Sequence, residues 1–154
     1  MQRLWKCKLP LKIKVFLWLA CQGRLQTGMA LKRKKWKGNE KCVVCNVSET
    51  VDHIFFICPL AKFAWICIKE ALGWDRAPNS LQDFLEHWVP TRCRQHDLKI
   101  TVLATVAWAL WNARNKMAIE VFIRSPTDII FRINFFLQRW KVLLRGDARA
   151  ELET

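Results

Sequence analysis

The chain has 154 residues, of which 52% are hydrophobic and 25% charged, with nine tryptophans and nine phenylalanines. This composition excludes disorder over most of the chain, and the length allows one domain with a real core or two small packed subdomains. The longest uncharged apolar run, Ile100–Trp111, has 12 residues and is too short to span a bilayer.

The formal net charge of +13 is distributed unevenly along the chain. Residues 1–41 contain 12 Lys/Arg and one acid, whereas residues 42–154 contain 14 Lys/Arg and 12 acids. The basic character therefore belongs to the N-terminal quarter. It predicts an anionic partner there, with nucleic acid as the first candidate and an acidic protein or a membrane surface as the second.

Seven cysteines are an odd number, and four of them are scattered among apolar neighbours. These four are Cys7, Cys21, Cys67 and Cys93. The pattern favours buried thiols in a reducing compartment over a secreted disulfide framework. We expect the protein in the nucleus or cytoplasm, with the mitochondrion as an alternative because the acid-free start is basic and amphipathic.

The first predicted helix begins at Pro10 and ends before Gly23. Its apolar positions follow the i, i+3, i+4, i+7 pattern and are Ile13, Phe16, Leu17 and Ala20. Four lysines crowd its beginning, namely Lys6, Lys8, Lys12 and Lys14. Helix dipoles disfavour cations at an N-terminus, and an external anion would resolve this conflict.

A second helix is predicted over Gly28–Lys37, with Thr27 as its N-cap and Gly38 near its end. Its cations are Lys32, Arg33, Lys34, Lys35 and Lys37. Two interpretations stay open for these cations, a solvated helix end and a phosphate-contacting or nuclear-import patch. Trp36, within the run, is expected to anchor the helix to the core, although it could also stack on a base.

The next stretch, Cys42-x₂-Cys45-x₇-His53-x₄-Cys58, has the spacing of a zinc site. Four protein ligands would leave no position for water or substrate, so the pattern predicts one structural zinc ion and not a catalytic one. We expect a knuckle after Cys42 with Asn46 in a left-handed conformation, and a cap from Thr50 or Asp52 before His53. Three apolar residues of this stretch, Ile54, Phe55 and Ile57, are predicted to enter the core.

The remaining pattern is helical, and the predicted fold class is mainly α with at most a small zinc hairpin. Cys58 and Pro59 predict the start of a helix over 59–72 that ends at Gly73 and has an inner face of Leu60, Phe63, Ala64 and Cys67. Ser80 and Asp83 form a capping pair for a helix over 81–89, with Leu81, Phe84, Leu85 and Trp88 inward and Pro90 after it. Longer helices are predicted over 94–118, apolar on all sides in the middle, and from Ser125-Pro126 to about Arg145, with Gly146 at its end.

These elements predict four regions along the chain. They are a zinc-binding domain with basic N-terminal helices (1–75), a linker (76–79), a helical C-terminal region (80–146) and a frayed tail (147–154). The pair Cys93-x-x-His96 has half the spacing of a second metal site but lacks a close partner pair, so an ordinary helix surface is the preferred interpretation.

Six motifs follow one another in the first half of the chain: Leu9-Pro10-Leu11-Lys12-Ile13-Lys14-Val15-Phe16-Leu17-Trp18, then Trp36-Lys37-Gly38, Cys42-x-x-Cys45, Glu49-Thr50, His53-Ile54-Phe55-Phe56-x-Cys58-Pro59 and Ala61-Lys62 before Trp65. Together they resemble the plant reverse-transcriptase zinc-binding domain, which follows the polymerase in LINE-type retrotransposon polyproteins. The resemblance covers roughly residues 4–70 in motif order and spacing. A looser resemblance to the segment that follows in grass elements extends over Trp108-Ala109-Leu110-Trp111-Asn112-Ala113-Arg114-Asn115.

The resemblance implies a zinc-binding, nucleic-acid-associated module whose ligands are Cys42, Cys45, His53 and Cys58. It does not imply an enzyme: the chain contains no Tyr, so the Tyr-x-Asp-Asp motif of the polymerase cannot occur. We therefore expect a non-catalytic module that binds RNA or DNA and has neither a small-molecule substrate nor a membrane span. We expect the chain to be a retroelement fragment or the product of a host gene derived from a retroelement. The alternative is a domesticated protein-interaction or regulatory module in which the zinc is purely structural.

Overall fold

The computed structural model describes residues 2–88, 96–120 and 125–141. This part of the chain is about 70% helical and contains no strand, which confirms the mainly α fold class. Its α-helices are α1 (Gln2–Lys6), α2 (Leu11–Cys21), α3 (Gly28–Arg33), α4 (Pro59–Leu72), α5 (Leu81–Asp83), α6 (His96–Glu120) and α7 (Pro126–Trp140). Two π-helical turns are π1 (His53–Ile57) and π2 (Phe84–Trp88). None of these helices is long and apolar enough to cross a membrane.

Helix α2 forms as its pattern predicts. The four predicted inward residues are all buried, and Pro10 stands immediately before the first helical residue. Gly23 takes a left-handed φ of 65°, while the Arg24 N–H donates to the Leu19 carbonyl at 2.9 Å. The glycine therefore ends the helix in the way that its missing Cβ allows.

Helix α3 is shorter than predicted, because it ends at Arg33 and not at Lys37. Lys35 adopts a left-handed φ of 61°, which closes the helix without a glycine. The Trp36 N–H donates to the Leu31 carbonyl at 3.1 Å, and the Lys35 N–H donates to the Lys32 carbonyl at 2.9 Å. These two bonds form a Schellman motif. Residues 34–37 therefore lie in a turn at the surface instead of continuing the helix.

Helix α4 has its predicted limits, with Cys58 at the N-cap and Gly73 left-handed at the C-cap. Its predicted inner face is confirmed in part, because Leu60 and Ala64 are buried, whereas Phe63 is exposed and Cys67 is only partly buried. The other buried residues of the helix are Ala61, Trp65 and Ile68. The Trp65 indole N–H donates to the Phe55 carbonyl at 2.6 Å, and its ring stacks on Phe56. Burying the larger ring with its N–H satisfied rotates the inner face by one residue.

The segment after Gly73 departs from the prediction in helix type. Ser80 Oγ accepts the Asp83 N–H at 2.9 Å, which confirms the cap, but the α-helix lasts only three residues before it widens into π2. Leu81, Phe84 and Trp88 are buried as predicted, whereas Leu85 is exposed. Residues 89–95, with Pro90 and Cys93, lie outside the described residues.

Helix α6 is the central buried element. Its middle, from Ile100 to Leu110, is buried on almost every side, as predicted, and α6 packs on π1, α2, α4 and α7. On α7, Ile129, Ile133 and Trp140 face this core. The predicted end of α7 near Arg145 and the predicted tail over 147–154 lie beyond the described part.

Phe16 of α2 connects the two halves of the chain within one hydrophobic cluster. Its ring makes edge contacts with Phe55 at 5.8 Å and with Trp108 at 5.0 Å between centroids. Through Phe16, the segment that carries the metal site packs against side chains of the C-terminal half. The domain limits at residues 75 and 80 stay predictions.

Candidate metal centre

The first two candidate ligands lie on a tight knuckle. The Cys42 N–H donates to the Val47 carbonyl at 2.7 Å, and the Asn46 N–H donates back to the Cys42 carbonyl at 2.9 Å. Asn46 has a φ of 60°, the left-handed conformation predicted for it. An isolated antiparallel bridge between Lys41 and Ser48 closes the base of this knuckle.

The other two candidate ligands lie at the two ends of π1. Thr50 Oγ1 accepts the His53 N–H at 3.0 Å, so of the two predicted caps it is Thr50 that begins this turn. The Cys58 N–H then donates to the His53 carbonyl at 2.8 Å. In an α-helix, residues five apart point about 140° away from each other. The wider π turn closes from i to i+5, so it brings His53 and Cys58 to the same side. This geometry turns Ile57 to solvent, so the prediction that Ile57 enters the core is wrong.

The four donor atoms meet in one place. One ligand atom from each of Cys42, Cys45, His53 and Cys58 lies within 4.8 Å of the others. Two of these distances are 3.9 Å between Cys42 Sγ and Cys58 Sγ, and 3.3 Å between Cys45 Sγ and His53 Nε2. Tetrahedral zinc with bonds of about 2.3 Å to sulfur and 2.0 Å to nitrogen requires about 3.8 Å and 3.6 Å. The cluster could therefore form a zinc site with small adjustments.

The electrostatics of the cluster also suit a cation. The pKa of the Cys42 thiol is lowered, chiefly because the Cys58 thiol donates a hydrogen bond to it. The same bond, together with burial, raises the pKa of Cys58. His53 is buried, and its Nδ1 has no hydrogen-bond partner within the described residues. Three sulfurs and one imidazole are the donor set that zinc prefers.

A buried ion pair, which the sequence reasoning missed, fixes the knuckle to the C-terminal half. Arg114 of α6 donates from Nε to both Glu49 carboxylate oxygens at 3.0 and 3.1 Å, and from a terminal nitrogen at 2.6 Å. Glu49 Oε1 also accepts the Gly28 N–H at 2.8 Å, which attaches the start of α3. A single Arg in the longest apolar helix was the available signal, because a charge there requires a partner.

The predicted cations lie at the surface, in two groups. Lys6, Lys8 and Lys12 are exposed near α1 and α2, and Lys14 donates to the Trp5 carbonyl at 3.0 Å. The second group is the basic turn, defined as residues 32–37, in which all five cations are exposed. Trp36 is 48% exposed, so the prediction that it anchors the helix to the core is wrong. Lys32 pairs with Glu40 at 3.2 Å, and within the described part of the chain no acid pairs with the other four.

These features define a helical module with a Cys₃His cluster able to fill a tetrahedral metal site. Residues 1–65 match the model of a protein family described as zinc-binding in reverse transcriptase. The match is to the zinc-binding domain and not to the catalytic domain of reverse transcriptase. No curated protein and no solved structure matches the chain.

Proposed function

We propose that this protein is a non-catalytic, zinc-stabilised module that binds RNA or DNA, derived from the reverse transcriptase of a plant LINE-type retrotransposon. The observation that carries the proposal is the basic turn, which presents five exposed cations and an exposed tryptophan directly before the metal cluster. The match over residues 1–65 supports the metal part of the proposal.

One zinc ion would be held by Cys42, Cys45, His53 and Cys58. When bound, it supplies four bonds that tie the knuckle to π1 and the start of α4. With all four positions taken by protein, the ion has no place for a reacting group. Its role is to hold the segment beside it.

The basic turn is positioned by that segment. At the start of α3, the Gly28 N–H donates to Glu49. At the other end of α3, the Schellman bonds fix the chain where it enters the basic turn. Trp36 lies over Gly38, where any added Cβ would overlap the indole ring. The indole is therefore held at the surface beside Lys35 and Lys37. Cations around an exposed aromatic are the combination that binds phosphates and stacks on an unpaired base.

The lysines of the first group would supply further contacts. Lys6 and Lys8 are exposed, and they would contact phosphates. Lys12 stands over the Trp108 ring at 5.4 Å, and Lys14 is bonded to a backbone carbonyl. We expect smaller contributions from these two, because each already has a partner within the molecule.

Binding to single-stranded RNA and DNA, measured by fluorescence anisotropy over a range of salt concentrations, tests the proposal. Affinity should fall steeply with salt, and the triple variant Lys34→Glu, Lys35→Glu, Lys37→Glu should reduce the slope of log K against log salt by about 2–3. A matched control reverses three exposed cations elsewhere, Lys62, Lys116 and Arg139, and changes the net charge equally. Equal losses in both variants, or wild-type binding that does not depend on salt, would contradict the proposal.

Stacking by Trp36 has its own test. Trp36→Ala should weaken single-strand binding by about 1–3 kcal/mol, which is roughly 5- to 150-fold. Phe131→Ala removes another exposed aromatic, on α7, and should leave the affinity unchanged. Zinc content and thermal stability measured on both variants establish that the fold is intact.

The second candidate is a protein-interaction or regulatory module with a purely structural zinc. It is favoured by Phe131 and Phe135, which lie one turn apart on α7 and are 73% and 56% exposed. A stable protein partner recovered after nuclease treatment, and lost when both phenylalanines are replaced by Ser, would support this candidate. The charge-reversed basic turn should then leave the interaction intact.

A further inference from the structure

A second group of metal-ligating side chains lies apart from the Cys₃His cluster. Cys7 follows α1 and is 5% exposed, while His96 and Asp97 are the first two residues of α6. One ligand atom from each of these three side chains lies within 4.8 Å of the other two. His96 Nδ1 and Asp97 Oδ1 are 3.6 Å apart.

The donor chemistry selects the kind of ion. One sulfur, one imidazole nitrogen and one carboxylate oxygen suit zinc and similar divalent transition ions, whereas Ca²⁺ and Mg²⁺ prefer oxygen alone. Donors on tetrahedral zinc stand about 3.4–3.6 Å apart. The distance between His96 and Asp97 already satisfies this, and the Asp97 side chain, which is 45% exposed, has room to move. A Cys7 thiolate and the Asp97 carboxylate would balance the charge of the ion.

We propose that Cys7, His96 and Asp97 form a second metal site, which takes zinc or a chemically similar divalent ion. Three protein ligands leave the fourth tetrahedral position open to water or to an incoming ligand, in contrast with the closed Cys₃His set. The sequence spacing offered Cys93 as a partner of His96 but favoured an ordinary helix surface, and Cys93 lies outside the described residues. The structure places His96 near Cys7, which lies close to the N-terminus.

This site would join α1 to the beginning of α6. Cys7 lies between Lys6 and Lys8, both exposed, so the ion would fix the backbone that carries these two cations. Loss of this ion should therefore make the backbone of the first ten residues more mobile and leave the knuckle intact. The site does not depend on the proposed nucleic-acid binding, and its test makes no use of nucleic acid.

The test is metal stoichiometry on the full chain, by titration with Co²⁺ and by elemental analysis after dialysis against zinc. The wild type should bind two equivalents, and Cys7→Ser should bind one while keeping the strong thiolate-to-cobalt absorption of the three-sulfur site. Cys67→Ser, a partly buried cysteine outside both clusters, is the matched control and should bind two.

Because Cys7 is buried and its replacement could disturb folding, Asp97→Asn provides an independent variant. It should weaken binding of the second equivalent by about tenfold or more, with the first equivalent and the circular dichroism spectrum unchanged. One equivalent in the wild type would overturn the proposal. So would two equivalents of unchanged affinity in both Cys7→Ser and Asp97→Asn.

Discussion

Replacing Arg114 by Met should be among the most damaging single changes outside the metal ligands. The guanidinium makes three hydrogen bonds of 2.6–3.1 Å to Glu49, whose side chain is 5% exposed, and Arg114 itself is 20% exposed. Methionine keeps the length and helix propensity of the side chain but donates no hydrogen bond. The Glu49 carboxylate then loses all three bonds from Arg114 and keeps the bond from the Gly28 N–H. Breaking a buried pair from one side costs about 3–5 kcal/mol. Since Arg114 retains some contact with water, we expect about 3 kcal/mol.

Urea unfolding of the zinc-saturated protein measures this change in the free energy of unfolding. A cost of about 3 kcal/mol corresponds to a fall in Tm of roughly 6–12 °C for a chain of this size. The matched control is Lys32→Met, which removes an exposed pair with Glu40 and should cost less than about 1 kcal/mol. The double variant Glu49→Gln, Arg114→Met should be more stable than the sum of the two single changes predicts. Equal effects of Arg114→Met and Lys32→Met would refute the reasoning that the pair is a buried connection.

Three further changes probe the frame around the metal centre. Gly28→Ala should lower the free energy of unfolding by about 1–3 kcal/mol in urea titrations, because the added Cβ would overlap the Glu40 carbonyl oxygen. Lys35→Gly should raise it by about 0.5–1 kcal/mol, since glycine adopts a φ of 61° without the cost that a side chain carries. Cys58→Ser should abolish copurification of zinc by the Cys₃His cluster and lower Tm, as measured by elemental analysis and calorimetry, whereas Cys67→Ser should change neither.

Periodicity and end signals were sufficient wherever local chemistry decides the structure. The inner face of α2 follows from four apolar residues at helical spacing, and the limits of α4 follow from Pro59 and Gly73. The cluster of four candidate ligands was predictable for the same reason, because spacing along a short segment restricts which donors can meet. Each of these inferences uses residues that are close in the sequence.

The failures have causes that are distant in the sequence or depend on competition between similar side chains. Lys35 accepts a left-handed conformation at some cost, which a rule based on glycine cannot anticipate. Phe63 and Trp65 are both aromatic, and tertiary contacts, among them the hydrogen bond from Trp65 to Phe55, decide which of them is buried. The Glu49–Arg114 pair joins residues that are 65 positions apart, so the sequence could indicate that Arg114 requires a partner but not that Glu49 is that partner.

The π turn between His53 and Cys58 determines which changes this segment can accept during evolution. Ile57 is exposed, so a point substitution there would alter little of the packing. Removing one residue between the two candidate ligands would convert the i to i+5 closure into the i to i+4 closure of an α-helix, which still leaves the ligands about 40° apart on one side. Keeping the spacing of five without the π turn would instead place them about 140° apart. We therefore expect homologues to vary in the residue at position 57, and to combine a spacing of five with a π turn or a spacing of four with an α-helical one.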